Sequence, residues 1–155
     1  MSYCLSSVFH QMKVAVDSII VIINQISNID LESRPIRDKR SYLELLTHIS
    51  LLCRADLLIS NETSSTEMQA FYVRHEFKTI EEIKDNLITN YNQLVEEYSN
   101  YTEEKLFEYT QSYWGVRYSR FEWLLQMLGH IYHHRGQLHT YILIDSKGIE
   151  VQLFE

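Results

Sequence analysis

Residues 119–144 read SRFEWLLQMLGHIYHHRGQLHTYILI, and the periodicity of this stretch decides the fold. Ser119 and Glu122 match the S-x-x-E capping box, in which a hydroxyl and a carboxylate satisfy the backbone N–H groups that a helix start leaves free. At ~100° per residue, Leu124, Met127, Leu128, Ile131, Leu138 and Tyr141 fall on one stripe, the buried face of a long amphipathic helix. The helix is expected to end near Ile144, with Gly148 as its C-cap.

The same reading applied outward finds three more long helices. Residues 5–26 carry Leu5, Val8, Phe9, Met12, Val16, Ile19, Ile23 and Ile26 at three-and-four spacing. A box at Ser41 and Glu44 opens a second helix running to about Ile59, and a box at Thr79 and Glu82 opens a third running to about Tyr98. Residues 27–40 hold the only proline, Pro35, and read as a loop. Residues 60–78 are weakly patterned and read as a loop with some local structure. Residues 99–118 read as a short helix followed by an irregular or hairpin-like segment. The tail, IEVQLFE, alternates and is expected to dock as an extended strip.

Composition agrees with an all-α fold. The 155 residues suit one domain, 1–155, large enough for a real core. Four Gly and one Pro are too few turn residues for a many-stranded sandwich or barrel. Four long helices in one domain imply a four-helix bundle. Fourteen basic against 21 acidic residues, a net charge of −7, argue against a protein that grips phosphate backbones, so no nucleic-acid partner is expected. The longest aliphatic run, residues 19–23, is far short of the ~20 residues that span a bilayer. No membrane partner is expected. Cys4 and Cys53 form no disulfide framework, and a reduced cytoplasmic location follows as the expectation.

Placement separates the seven histidines. His130 and His134 lie ~40° apart within the buried stripe of the last helix, one turn above the other. His133 and His139 rotate outside it. On the second helix, His48 sits in the middle of the stripe Leu45, Leu52, Ala55 and Ile59. An imidazole among leucines costs free energy unless its nitrogens find partners. Three core-facing imidazoles, two of them at i and i+4, could share one cation; the alternative is three hydrogen-bonded core histidines. His10 reads as a helix-surface residue and His75 as a loop residue.

The segments HIYHHRGQ (130–137) and ELLTHI (44–49) resemble two motifs of the DinB/YfiT-like superfamily, HxxHHRGQ and an upstream ELLxHI, and the resemblance spans essentially the whole chain. It implies a four-helix bundle with up-down-down-up topology, a homodimer, and a divalent metal held by His48, His130 and His134. The face analysis picks the same three residues. Glu44 is read either as the capping-box residue alone or as a hydrogen-bond partner that orients an imidazole. Gln137 is placed to support His134. Gly136, costly inside a helix, is expected to mark the close approach of a neighbouring helix, and Arg135 to pair with a carboxylate. The aromatic run 107–118 (FEYTQSYWGVRY) reads either as ordinary core packing or as a pocket wall near the metal. Cys53 falls off the His48 face.

Three neutral imidazoles leave a coordination position open, which favours a catalytic over a structural site. Zinc or nickel is the expected ion, with iron or manganese as alternatives. The superfamily includes thiol-dependent transferases, so the resemblance implies a small-molecule substrate and activation of a low-molecular-weight thiol. Metal-dependent hydrolysis and a non-enzymatic metal-binding stress protein are the other readings. A second apolar strip on the first helix, Val14, Val21 and Ile22, is the residue-level reason to expect self-association.

Overall fold

The computed structural model describes residues 3–26, 29–145, 148 and 150–154. In chain order it contains α1 (Tyr3–Gln25), α2 (Tyr42–Ser60), α3 (Ser65–Arg74), α4 (Ile80–Ser99), α5 (Glu103–Leu106), β1 (Tyr109–Gln111), β2 (Arg117–Ser119) and α6 (Arg120–Ile144). The chain is predominantly helical. The capping boxes of α2, α4 and α6 form as their sequences require, each with side chain and backbone satisfied reciprocally.

The four long helices enclose one apolar core, and α1 and α2 each pack against both α4 and α6. Phe9 near the start of α1 meets Tyr98 at the end of α4, while Lys84 at the start of α4 bonds Asn24 at the end of α1. Arg135 of α6 reaches Ser18 of α1, and Tyr42 at the start of α2 bonds Asp145 at the end of α6. Helix α1 is long and apolar enough to cross a membrane on length and composition alone, yet half of that window is buried inside the bundle. That is the place of a core helix.

Several expectations need correction. Residues 60–78 are not mainly loop: α3 forms there behind a capping box of Ser64 and Glu67. Its only buried residue is Met68, so the apolar stripe that reveals the other helices is missing. Helix α6 is capped by Asp145, and Gly148 lies beyond it. On α1, Ile22 belongs to the core, which leaves only Val21 exposed and Val14 half-buried from the proposed outer strip. Nothing approaches the Cβ position of Gly136 within 4 Å, so no close helix contact explains that glycine. Arg135 has no carboxylate partner among the described residues. Its buried guanidinium donates to Ser18 Oγ and the Leu153 carbonyl and lies over the rings of Tyr132 and Phe154. It thereby fastens the C-terminal tail, which Gln25 also holds through the backbone of Glu150.

The segment before α6 is a hairpin. Its strands pair Tyr109 with Ser119 and Gln111 with Arg117. The tight connection from Ser112 to Val116 needs the positive φ of Gly115, which glycine adopts without steric cost. Glu62, just past α2, accepts from the Gln111 N–H, and Arg120 at the hairpin base bonds Glu108 and Asn61. The hairpin is therefore tied to the end of α2.

Candidate metal centre

Helices α2 and α6 bring His48, His130 and His134 together, with one ligand nitrogen of each within 4.8 Å of the others. His48 Nε2 lies 2.9 Å from His134 Nε2, which in turn lies 3.0 Å from His130 Nε2. His134 is buried and the other two are partly so. The i,i+4 spacing stacks His130 over His134 on α6, and His48 faces them from the middle of α2.

On His130 and His134 the other ring nitrogen fixes the tautomer. Asp56 Oδ2 is 2.8 Å from His130 Nδ1. A carboxylate only accepts, so His130 carries its proton on Nδ1 and turns a lone pair on Nε2 toward the cluster. Gln137 Oε1 is 2.7 Å from His134 Nδ1, and its amide nitrogen donates to His133 Nε2 at 3.0 Å. With the amide so assigned, His134 also presents a lone pair on Nε2. Lone pairs facing each other at hydrogen-bond distance repel unless a proton or a cation lies among them.

Protons are a poor answer at neutral pH. Burial, reinforced by Arg40 and the neighbouring imidazoles, pushes the pKa of His48 down to about 3. Burial also lowers His134 to about 4, against the opposing effect of the hydrogen bond it donates to Gln137. His48 and His134 are thus neutral, and with His130 they form a set of three imidazoles whose Nε2 atoms converge, two of the rings oriented from behind by a carboxylate and an amide. These residues fit a divalent ion, and nitrogen-rich sites of this kind suit zinc, nickel and iron.

Gln137 touches His134, at Nδ1. Glu44 does not touch an imidazole among the described contacts. It is claimed by a bidentate ion pair with Arg34 and by the Ser41 backbone N–H, so of its two readings the capping role is the one observed. His133 and His10 are exposed. Cys53 is fully buried, with its thiol pushed up to about 12 by burial, and is inert in this setting. Asp56 is the residue that the sequence reading missed. It lies two turns beyond His48 and ~80° round the helix, off the stripe examined for imidazoles but directed at the neighbouring helix.

Two cavities flank the cluster and share Tyr72 of α3. One, of about 450 Å³, lies beside His48 and includes Arg40, Thr47, His75 and Glu76. The other, of about 270 Å³, lies beside His130 and Asp56 and is walled by Tyr113, Trp114 and Trp123. Tyr113 and Trp114, at the hairpin tip, are half exposed, so the core-packing reading fails for them and the pocket-wall reading describes them. His75 caps α3 and lines the first cavity, a position that a loop reading of residues 60–78 could not place.

A helical bundle in which three imidazoles converge between two core helices, able to hold a metal ion, is the class that fold and site define. The chain belongs to the DinB family, whose model matches residues 1–150. A protein assigned to that family from Exiguobacterium sibiricum 255-15 is 30% identical, with 99% of each chain covered and a TM-score of 0.88. A DinB-like protein from Bacillus subtilis, YjoA, is 18% identical over 97% of this chain and 96% of its own, with a TM-score of 0.69; that likeness speaks for the fold alone. No curated protein matches the chain significantly.

Proposed function

We propose that the protein is a metal-dependent transferase in which His48, His130 and His134 hold a divalent ion, zinc or nickel, and a low-molecular-weight thiol attacks an electrophilic small molecule. The observation that carries this reading is the convergence of three imidazole Nε2 atoms, that of His134 lying 2.9 Å from His48 and 3.0 Å from His130. When bound, the ion supplies Lewis acidity, which favours thiolate over thiol at neutral pH. Asp56 and Gln137 hold His130 and His134 in the ligating tautomer. In the transfer, a sulfur–carbon bond forms as the carbon–leaving-group bond breaks. The leaving group departs with its electron pair, and the thiol proton passes to solvent.

The commitments of Asp56 and Glu44 favour transfer over hydrolysis; Glu76, which also lines the cavity beside His48, is the carboxylate a hydrolase would use. Hydrolysis benefits from a carboxylate free to take a proton from water. Asp56 is engaged behind His130, and Glu44 is engaged by Arg34. A thiolate needs no such base.

The wider reading is a cytoplasmic homodimer built as an up-down-down-up bundle, with no nucleic-acid or membrane partner. The contacts from Phe9 to Tyr98 and Asn24 to Lys84 support antiparallel α1 and α4, and those from Tyr42 to Asp145 and His48 to His134 support antiparallel α2 and α6. Val21, 41% exposed on α1, supports self-association only modestly. Sedimentation at micromolar concentration tests it: a single species near 18.5 kDa would exclude the dimer.

Elemental analysis of untagged protein tests the metal. Wild type should carry close to one divalent ion per chain, and His48→Ala and His134→Ala should carry almost none after dialysis. Metal-loaded protein should then consume a generic electrophile only when a bacterial thiol is present. Thiol-independent ester or amide cleavage that vanishes in His134→Ala would replace transferase with hydrolase. Tight metal binding with neither activity would favour a non-enzymatic role.

A further inference from the structure

Trp123 presents an unexplained buried donor. The residue is 2% exposed, and its indole Nε1–H has no hydrogen-bond partner, one of only two such buried side-chain atoms among the described residues. Buried tryptophan normally finds an acceptor for this proton, and leaving it unpaired costs free energy. The ring is not free to turn away, because Tyr118 of β2 packs edge-on against it at 4.9 Å.

The same tryptophan lines the cavity beside His130. Across from it stand Tyr113 and Trp114, set edge to face at 4.7 Å on the hairpin tip, with Tyr72 of α3 closing the side toward the His48 cavity. Large rings half exposed on a hairpin lose water when a flat apolar ligand covers them. A dry cavity of about 150 Å³ is enough for a benzene ring, so about 270 Å³ admits one ring with a short substituent.

We infer that the cavity formed by Tyr72, Tyr113, Trp114 and Trp123 beside His130 is a binding site for a single-ring aromatic compound carrying a hydrogen-bond acceptor, with the acceptor on the Trp123 N–H and the ring against Trp114. Its assignment as the seat of the electrophile rests on the transferase reading; the binding site itself does not. Two cavities, one on each side of the imidazoles, then give each of two substrates its own approach.

Both tryptophans of the chain line this cavity, so intrinsic fluorescence reports on it directly. The experiment titrates chelator-treated protein with acetophenone in the absence of thiol, and measures ethylbenzene, which has the same shape but no acceptor, by its displacement of acetophenone. Saturable quenching is expected, with acetophenone several-fold tighter than ethylbenzene. Trp114→Ala should weaken both at least tenfold. Trp123→Phe, which keeps a ring and removes the N–H, should abolish the preference for acetophenone. Linear quenching like that of N-acetyltryptophanamide would overturn the site, as would saturable binding that Trp114→Ala leaves unchanged. Equal affinity for the two ligands would overturn the role of Trp123. Because metal and thiol are absent, none of these outcomes depends on whether the transferase reading survives.

Discussion

Asp56 Oδ2 sits 2.8 Å from His130 Nδ1, on the side of the ring away from His134. A carboxylate there fixes the tautomer, aims the opposite nitrogen and raises its basicity as a ligand. Asp56→Ala should therefore weaken metal affinity about 10- to 100-fold while leaving the three imidazoles in place. Competition with a calibrated chelator measures this. An unchanged affinity would mean that the pair is only a structural contact between α2 and α6.

Acid should destabilise the metal-free protein through His48 and His134. Their pKa values in the fold, about 3 and about 4, lie below the 6.5 of an unperturbed histidine. The unfolded chain therefore binds more protons than the folded one from pH 6.5 downward, and stability falls with pH until the folded rings titrate. The part between pH 6.5 and 5 precedes most carboxylate titration. Thermal midpoints of chelator-treated protein should fall across that interval, and less steeply in a His48→Asn, His134→Asn double variant. Equal slopes would assign the acid sensitivity elsewhere.

Gly136→Ala should stabilise the protein. The residue is inside α6, where glycine costs about 0.5–1 kcal/mol relative to alanine, and the space its Cβ would fill is open. Urea denaturation should show a gain of about that size with metal content unchanged. A loss of stability would reveal a contact in solution that the monomer lacks.

Arg135→Met keeps the stem of the side chain and deletes every polar tie to the tail. The Leu153 carbonyl and the Ser18 hydroxyl each lose this donor, and both ring contacts go. A loss of about 1–3 kcal/mol is expected, with new protease cleavage within residues 148–155. Unaltered protease resistance would show that Gln25 alone suffices to hold the strip.

Most of this architecture was legible in the chain because two local signals coincide. Wherever a capping box precedes an apolar stripe, as at Ser41, Thr79 and Ser119, a long core helix forms. Helix α3 has the box, at Ser64 and Glu67, without the stripe, since it buries only Met68. The weight given to periodicity hid it. The cluster of three histidines was legible for the same reason: a histidine on an apolar stripe stands out. Asp56 did not, because a carboxylate at the edge of a helix looks solvated until the facing helix is known. Gly136 and Arg135 were misread by assigning the commonest cause of such a residue. Open space lies over the first, and a carbonyl from the tail meets the second.

The imidazoles come from α2 and α6, whose burial holds the whole bundle together. The outer cavity walls, Tyr72 and the rings of Tyr113 and Trp114, come from α3 and the hairpin tip, which contribute little to the core. Change is therefore cheap in one place and ruinous in the other. Substitutions at Tyr72, Tyr113 or Trp114 can alter what reaches the imidazoles at small cost in folding, whereas almost any change around His48 or His134 endangers the fold and the ligands together. A lineage using this scaffold can remodel the approach to the three imidazoles many times over while the imidazoles themselves stay where they began.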